Sequence, residues 1–296
     1  MNTKILIALF PIVLSGCNFN EDDCIRNGEL VAWCDYSNIK EGTKIPEQRY
    51  LLPFGSSVPP SGMNQFTSDT LHWELPQGNY DFIYANYADD IYHIVNPEQY
   101  QECRLQVRTD TIEEQCHINN TQGFCSTSIF NERLVYQQKN YVRITPSAFV
   151  QRLNVKINVT GNTAPIEALK GSLEGVCTEK YLQSRKRQGV ATAHTAFIKK
   201  GNEDVWIASM YLFGANPLYE NLFTIQTAMN QENTAYNETQ SVDLTQYLRG
   251  FEGEEISLEL NLTIGKELEI SEPVIIPDWE DGNETELLTI NKILKK

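Results

Sequence analysis

The sequence predicts an all-β chain built as β-sandwiches, and three observations carry that prediction. Two stretches of the second half alternate apolar and polar residues without an error, the signature of half-buried strands. Tyr and Phe, which favour strands, number 14 and 12 in 296 residues. Helix signals are sparse throughout.

The first half reads as short strands at 29–35, 49–54, 70–75, 80–87, 91–95, 104–108 and 141–144. Pro76-Gln77-Gly78-Asn79 is a turn and residues 59–62 form a Pro- and Gly-bearing loop. Thr145-Pro146-Ser147 marks the boundary between two domains, 27–145 and 146–296, each long enough to bury a core. In the second half Leu153, Val155, Ile157 and Val159 alternate with polar residues. Ile256, Leu258, Leu260, Leu262 and Ile264 do the same. Stretches 189–200, 205–213 and 222–228 complete the predicted strands. Residues 131–137 and 165–169 are expected to hold a turn or two of helix. Several short strands spaced by turn residues point to sandwiches rather than to a parallel sheet with crossover helices.

Residues 1–16 read as a removable signal, with Lys4 ahead of an apolar run too short to span a bilayer. Leu14-Ser15-Gly16-Cys17 resembles a bacterial lipobox. That resemblance implies cleavage before Cys17 and acylation of Cys17 with palmitate-type chains, hence a membrane anchor without a membrane span. Residues 17–26 would be an acidic tether. The run Asn18-Phe19-Asn20-Glu21-Asp22-Asp23 resembles the signal that sends Bacteroidetes lipoproteins to the outer face of the outer membrane.

With Lys+Arg 24 against Asp+Glu 39, the net charge is −15. Nucleic-acid binding needs clustered positive charge and is disfavoured. The one basic cluster, Ser184 to Gln188, reads as a solvated loop. Assigning Cys17 to lipid leaves Cys24, Cys34, Cys103, Cys116, Cys125 and Cys177. An even remainder in an oxidising compartment favours disulfides, in any of about fifteen pairings. No CxxC pair occurs, and Cys116-His117 lacks further ligands at zinc-site spacing, so no metal is expected. His72, His93, His117 and His194 are isolated along the chain. No HExxH, GxSxG, Walker loop or GxGxxG is present, so neither an enzyme nor a cofactor is expected. Asp69-Thr70-Leu71 and Asp110-Thr111-Ile112 resemble a short Bacteroidetes O-glycosylation motif, making Thr70 and Thr111 candidate modification sites.

Several landmarks in order resemble the fimbrillin superfamily of Bacteroidetes surface lipoproteins. They are the lipobox Cys17, then Val31-Ala32-Trp33-Cys34-Asp35, then Leu75-Pro76-Gln77-Gly78-Asn79-Tyr80 leading into an apolar strand. Ile144-Thr145-Pro146, the alternating strand 153–159, Ser241-Val242-Asp243-Leu244-Thr245 and Val274-Ile275-Ile276-Pro277-Asp278-Trp279 follow. The resemblance implies two tandem transthyretin-like Greek-key sandwiches and a pilus component of anchor or accessory type, supporting cell adhesion. It implies partners that are other pilus subunits, joined by exchange of a β-strand. In polymerising members the N-terminal strand is lost by cleavage after an Arg; Arg26 and Arg49, the only arginines in the first 60 residues, are the candidates, with ordinary surface charges as the alternative reading. The six remaining cysteines depart from the family's pattern.

A rival reading is a glycan-binding outer-membrane lipoprotein of a polysaccharide-capture system. Trp73, Tyr80, Tyr84, Tyr87 and Tyr92 cluster in sequence, and flat rings stack on sugars; Trp73, Tyr80 and Tyr84 are the chosen candidates.

Overall fold

The computed structural model describes residues 26–55, 62–161, 166–231, 234–264 and 268–277. The signal segment, Cys17, Cys24, the acidic run and the chain beyond 277 lie outside the described residues.

The chain forms strands almost throughout. The first half holds β1 (Asn27–Cys34), β2 (Arg49–Phe54), β3 (Asn64–Phe66), β4 (Thr70–Pro76), β5 (Gly78–Asn86), β6 (Tyr92–Val95), β7 (Arg104–Val107), β8 (Asp110–Ile112), β9 (Gln115–Ile118), β10 (Ser126–Leu134) and β11 (Lys139–Ile144). The second holds β12 (Ser147–Ala148), β13 (Gln151–Gly161), β14 (Ile166–Val176), β15 (Glu179–Tyr181), β16 (Arg187–Gln188), β17 (Ala191–Ala196), β18 (Ile198–Lys199), β19 (Val205–Leu212), β20 (Leu222–Gln231) and β21 (Thr234–Asp243). A single-turn helix α1 (Thr245–Leu248) precedes β22 (Glu255–Ile264), β23 (Leu268–Ile270) and β24 (Val274–Ile275).

Two expectations are corrected. Residues 131–134 are strand, part of β10, and 166–169 open β14. Sheet pairing overrides the weak helical pattern in both places. Phe130 lies opposite Phe82 across β10 and β5, their rings stacked at 5.0 Å. In β14, Leu169 and Leu173 point into the core with Gly171 between them. A Cβ on Gly171 would come 2.8 Å from the Phe223 ring.

Two cores result, and one sheet serves both. In the sheet β12-β10-β5-β2-β3, Tyr80, Phe82 and Tyr84 of β5 enter the smaller core, with Leu30, Ala32, Leu51, Leu71 and Ile144. Ile83 and Ala85 enter the larger one, as do Tyr50 and Leu52 of β2. The alternation of side chains along a strand makes this division automatic. The smaller core is closed by the three-stranded sheet β11-β1-β4.

The larger core lies between two six-stranded sheets, β18-β19-β13-β22-β23 (with β24 also on β22) and β21-β20-β14-β17-β9-β8. The two alternating segments are parallel neighbours there, with Leu153 opposite Ile256 and Ile157 opposite Leu260. On the opposite face Asn154 donates to Ser257 Oγ at 3.1 Å and to Glu255 Oε1 at 2.7 Å. Strands β7 and β9 precede residue 145 but pair with later ones, β7 with β15 and β9 in parallel with β17.

At that last seam His117 Nδ1 and His194 Nε2 are 2.8 Å apart, in rings stacked at 5.1 Å. Burial, and then the neighbouring His117, lower the His194 pKa from 6.5. The folded chain therefore resists protonation more than the unfolded one, so stability present above pH 6.5 is lost as pH falls below it. Melting temperatures followed from about pH 7.5 to about 5.5 are expected to fall, and to fall less in His194→Gln. Parallel curves for the two proteins would contradict this.

Candidate strand-exchange site

Strand β1 has the sequence Asn-Gly-Glu-Leu-Val-Ala-Trp-Cys, in which Leu30 and Ala32 face the smaller core. Leu30 is 0% exposed. The strand is bonded along both sides. It runs parallel to β11, from Glu29 opposite Lys139 to Cys34 opposite Ile144. It runs antiparallel to β4, from Asn27 opposite Pro76 to Trp33 opposite Thr70. β11 and β4 are not bonded to each other. Taking β1 away would leave two facing rows of unpaired backbone groups over a floor of Leu71, Phe82, Tyr84 and Ile144. The slot is tight at one end, where a Cβ on Gly28 would come 2.6 Å from the Val135 carbonyl oxygen.

The far end of β1 is held by a polar clamp. Cys34 N–H donates to Asp69 O at 3.1 Å and Asp35 N–H to Ile144 O at 2.8 Å. The Tyr36 and Tyr84 hydroxyls meet at 2.6 Å, and Arg49 Nε donates to Tyr36 Oη at 2.9 Å. Arg49 also pairs with Asp69 at 2.8 Å and donates to Thr67 O. Desolvation pushes both tyrosine hydroxyls above the usual phenol range, so they remain protonated donors. These residues sit on separate segments of the sequence, and no local motif announces the cluster.

The two arginines singled out from the sequence stand apart. Arg26 is exposed just ahead of β1, its guanidinium 5.7 Å from the Tyr136 ring centroid. Arg49 is 8% exposed inside β2, where a protease could reach it only after β2 leaves its sheet. Thr70 and Thr111 are both exposed, at the start of β4 and within β8.

The aromatic candidates need correction. Tyr84 is 0% exposed and Tyr80 nearly so, and Trp73 is half-buried against the same core. Tyr80 donates to Pro76 O at 2.6 Å, and Tyr92 to Gly123 O at 2.6 Å. Tyr87 stacks on Tyr50 at 4.5 Å. The four tyrosines fill the protein and present no face to a sugar.

The disulfide expectation finds no bond among the described residues. Cys34, Cys103, Cys116, Cys125 and Cys177 are all free thiols. Burial pushes Cys103 up to about 12 and Cys177 up to about 11, and Cys125 higher still. Such thiols stay protonated and inert while folded. In denaturant without reductant all five are expected to alkylate, read by peptide mapping; a resistant pair would contradict the structure. Among the described residues no group of three His, Cys, Asp or Glu side chains is placed to hold a metal ion, and no helix is long and apolar enough to cross a membrane. The basic cluster is partly folded in, contrary to the expected solvated loop. Arg185 lies 4.7 Å over the Phe149 ring, and Arg187 pairs with Glu252 at 2.6 Å.

No family model matches the sequence, and no curated protein does. Solved structures do match in fold. A candidate adhesin from Bacteroides ovatus superposes with a TM-score of 0.55 at 12% identity, over 83% of this chain and 94% of that one. A candidate polysaccharide-binding protein from Bacteroides thetaiotaomicron gives 0.54 at 10% identity, over 84% and 95%. The fimbrial anchor protein Mfa2 from Porphyromonas gingivalis gives 0.51 at 13% identity, over 85% and 97%. This chain is similar to them in its all-β architecture across nearly their whole length.

Proposed function

We propose that this protein is a non-enzymatic, surface-anchored component of a fimbrium, an anchor or accessory subunit that joins its partners by β-strand exchange. The observation that carries the reading is the place of β1. It is the first described strand, among the described strands it alone bridges β11 and β4, and it covers the smaller core with two apolar side chains. A strand so placed is the element a partner's strand can replace, with backbone hydrogen bonds for affinity and alternate side chains for register. Similarity in fold to an adhesin and to a fimbrial anchor supports the reading.

The anchor assignment rests on retention of β1. The lipobox-like Leu14 to Cys17 implies acyl chains on Cys17, ten residues ahead of Asn27, and the clamp buries Arg49, the candidate processing residue beyond β1. The C-terminal strand β24 stays on its own sheet, Ile275 opposite Leu258. Mass spectrometry of the native N-terminus, in membranes and in material sheared from cells, tests this. An acylated Cys17 confined to membranes is the expected result. A free N-terminus at Asn27 or Tyr50 in the sheared fraction would make the chain a polymerising subunit and overturn the anchor assignment.

A further inference from the structure

We propose that the outer face of the β11-β1-β4 sheet is a docking platform for a neutral sugar ring. Strand exchange would take β1 out of the sheet as a whole; this site is present while β1 is in place and uses its outer face. Alternation along β1 turns Glu29, Val31 and Trp33 away from the core that takes Leu30 and Ala32. Cross-strand register sets Val31 between Tyr141 and His72, and Trp33 between Arg143 and Thr70. Trp33 and Tyr141 are therefore diagonal neighbours across the parallel pair, and they remain 39% and 66% exposed. Val31, buried beneath, is the floor between them. Because β1 is bonded on both sides, the two rings stand on a pre-organised surface rather than on a loop.

The charges on this face decide the ligand. Glu29 accepts from His72 Nδ1 at 2.9 Å and pairs with Lys139 at 3.3 Å. Arg143 is paired with Asp35. In a chain of net charge −15, these groups close on one another and offer no net field to a polyanion or a polycation. Two rings set among ionised side chains are also a poor protein interface, whose buried core is depleted of charge and spans about 800 Å² per partner. A pyranose fits what is present: a C–H-rich face for the exposed π faces, and hydroxyls at its rim for Glu29, His72 and Arg143.

The test titrates the purified full chain with maltohexaose, cellohexaose, mannohexaose and galactohexaose, read by tryptophan fluorescence and saturation-transfer NMR. At least one is expected to bind with a Kd between about 1 mM and about 1 μM. The double variant Trp33→Thr/Tyr141→Thr is expected to weaken binding about tenfold or more while its thermal melt is unchanged, since both side chains are exposed and Thr suits a strand. If the double variant loses its fold, Tyr141→Thr alone carries the same expectation. Absence of binding by all four sugars up to about 10 mM would overturn the proposal, as would equal binding by the variants. Preferential binding of a heparin hexasaccharide would overturn its neutrality. Self-association abolished by the double variant, without sugar binding, would assign the face to a second copy of the chain instead. Trp33 belongs to β1, so the platform exists only while β1 occupies its slot, and none of these outcomes decides whether another strand can replace it.

Discussion

Leu30→Asp is expected to release β1 from its slot without unfolding the larger core. Leu30 is fully buried in the smaller core, among apolar and aromatic side chains. A carboxylate there must stay charged without a partner or take up a proton, and the cost of such an uncompensated buried charge is about 3–5 kcal/mol. Undocking β1 removes the floor contacts and both backbone ladders together, so the strand leaves as a unit. The larger core shares no side chain with Leu30. In native-state hydrogen exchange, β1, β4 and β11 are expected to lose protection while β13 and β22 keep theirs. Trypsin should still spare Arg49, because β2 keeps its pairing with β5. Uniform loss of protection would show instead that the two cores unfold as one.

Phe82→Ala is the second large effect. Phe82 is fully buried, stacked between Tyr80 at 5.5 Å and Phe130 at 5.0 Å. Its removal opens a cavity in a small core where few neighbours can shift to fill it. A loss of about 3–5 kcal/mol is expected, read as a lower denaturant midpoint with an unchanged m-value. Ile83, on the same strand, faces the other core. Ile83→Val should therefore cost only about 0.5–1.5 kcal/mol and leave β1 protected. A Phe82→Ala cost below about 1 kcal/mol would contradict the packing described for the smaller core.

How much of this was legible in the sequence depends on where the partners lie. Segments 153–159 and 256–264 could be read with confidence from their alternation, because each has one buried and one polar face. β2 was legible as a short apolar run, buried on both faces between the two cores. β10 was missed because Ser126, Thr127 and Asn131 dilute its apolar pattern, and only pairing with β5 settles it. β14 was missed because Gly171 and Gly175 stand where side chains would otherwise show the period. The aromatics on β5 were visible, but their burial was not: a strand between two cores looks, in sequence, like a strand with rings to spare. Trp33 was noticed only as a landmark, since Tyr141, more than a hundred residues away, supplies the second ring. The Arg49 clamp and the His117–His194 pair have the same origin, being assembled by register rather than by spacing.

The central claim is that β1 occupies a slot another strand can enter. A protease site inserted after the exposed, left-handed Gly42 (φ +84°) would separate β1 from the rest of the chain without touching either. The cleaved protein, warmed to near its unfolding midpoint with a fluorescent peptide of the sequence of residues 27–34 and then cooled, is predicted to take up one peptide per chain. It should not take up a peptide in which the residue matching Leu30 is Asp. A cleaved protein that holds its own β1 but never incorporates the peptide, or that incorporates both peptides alike, would contradict the account.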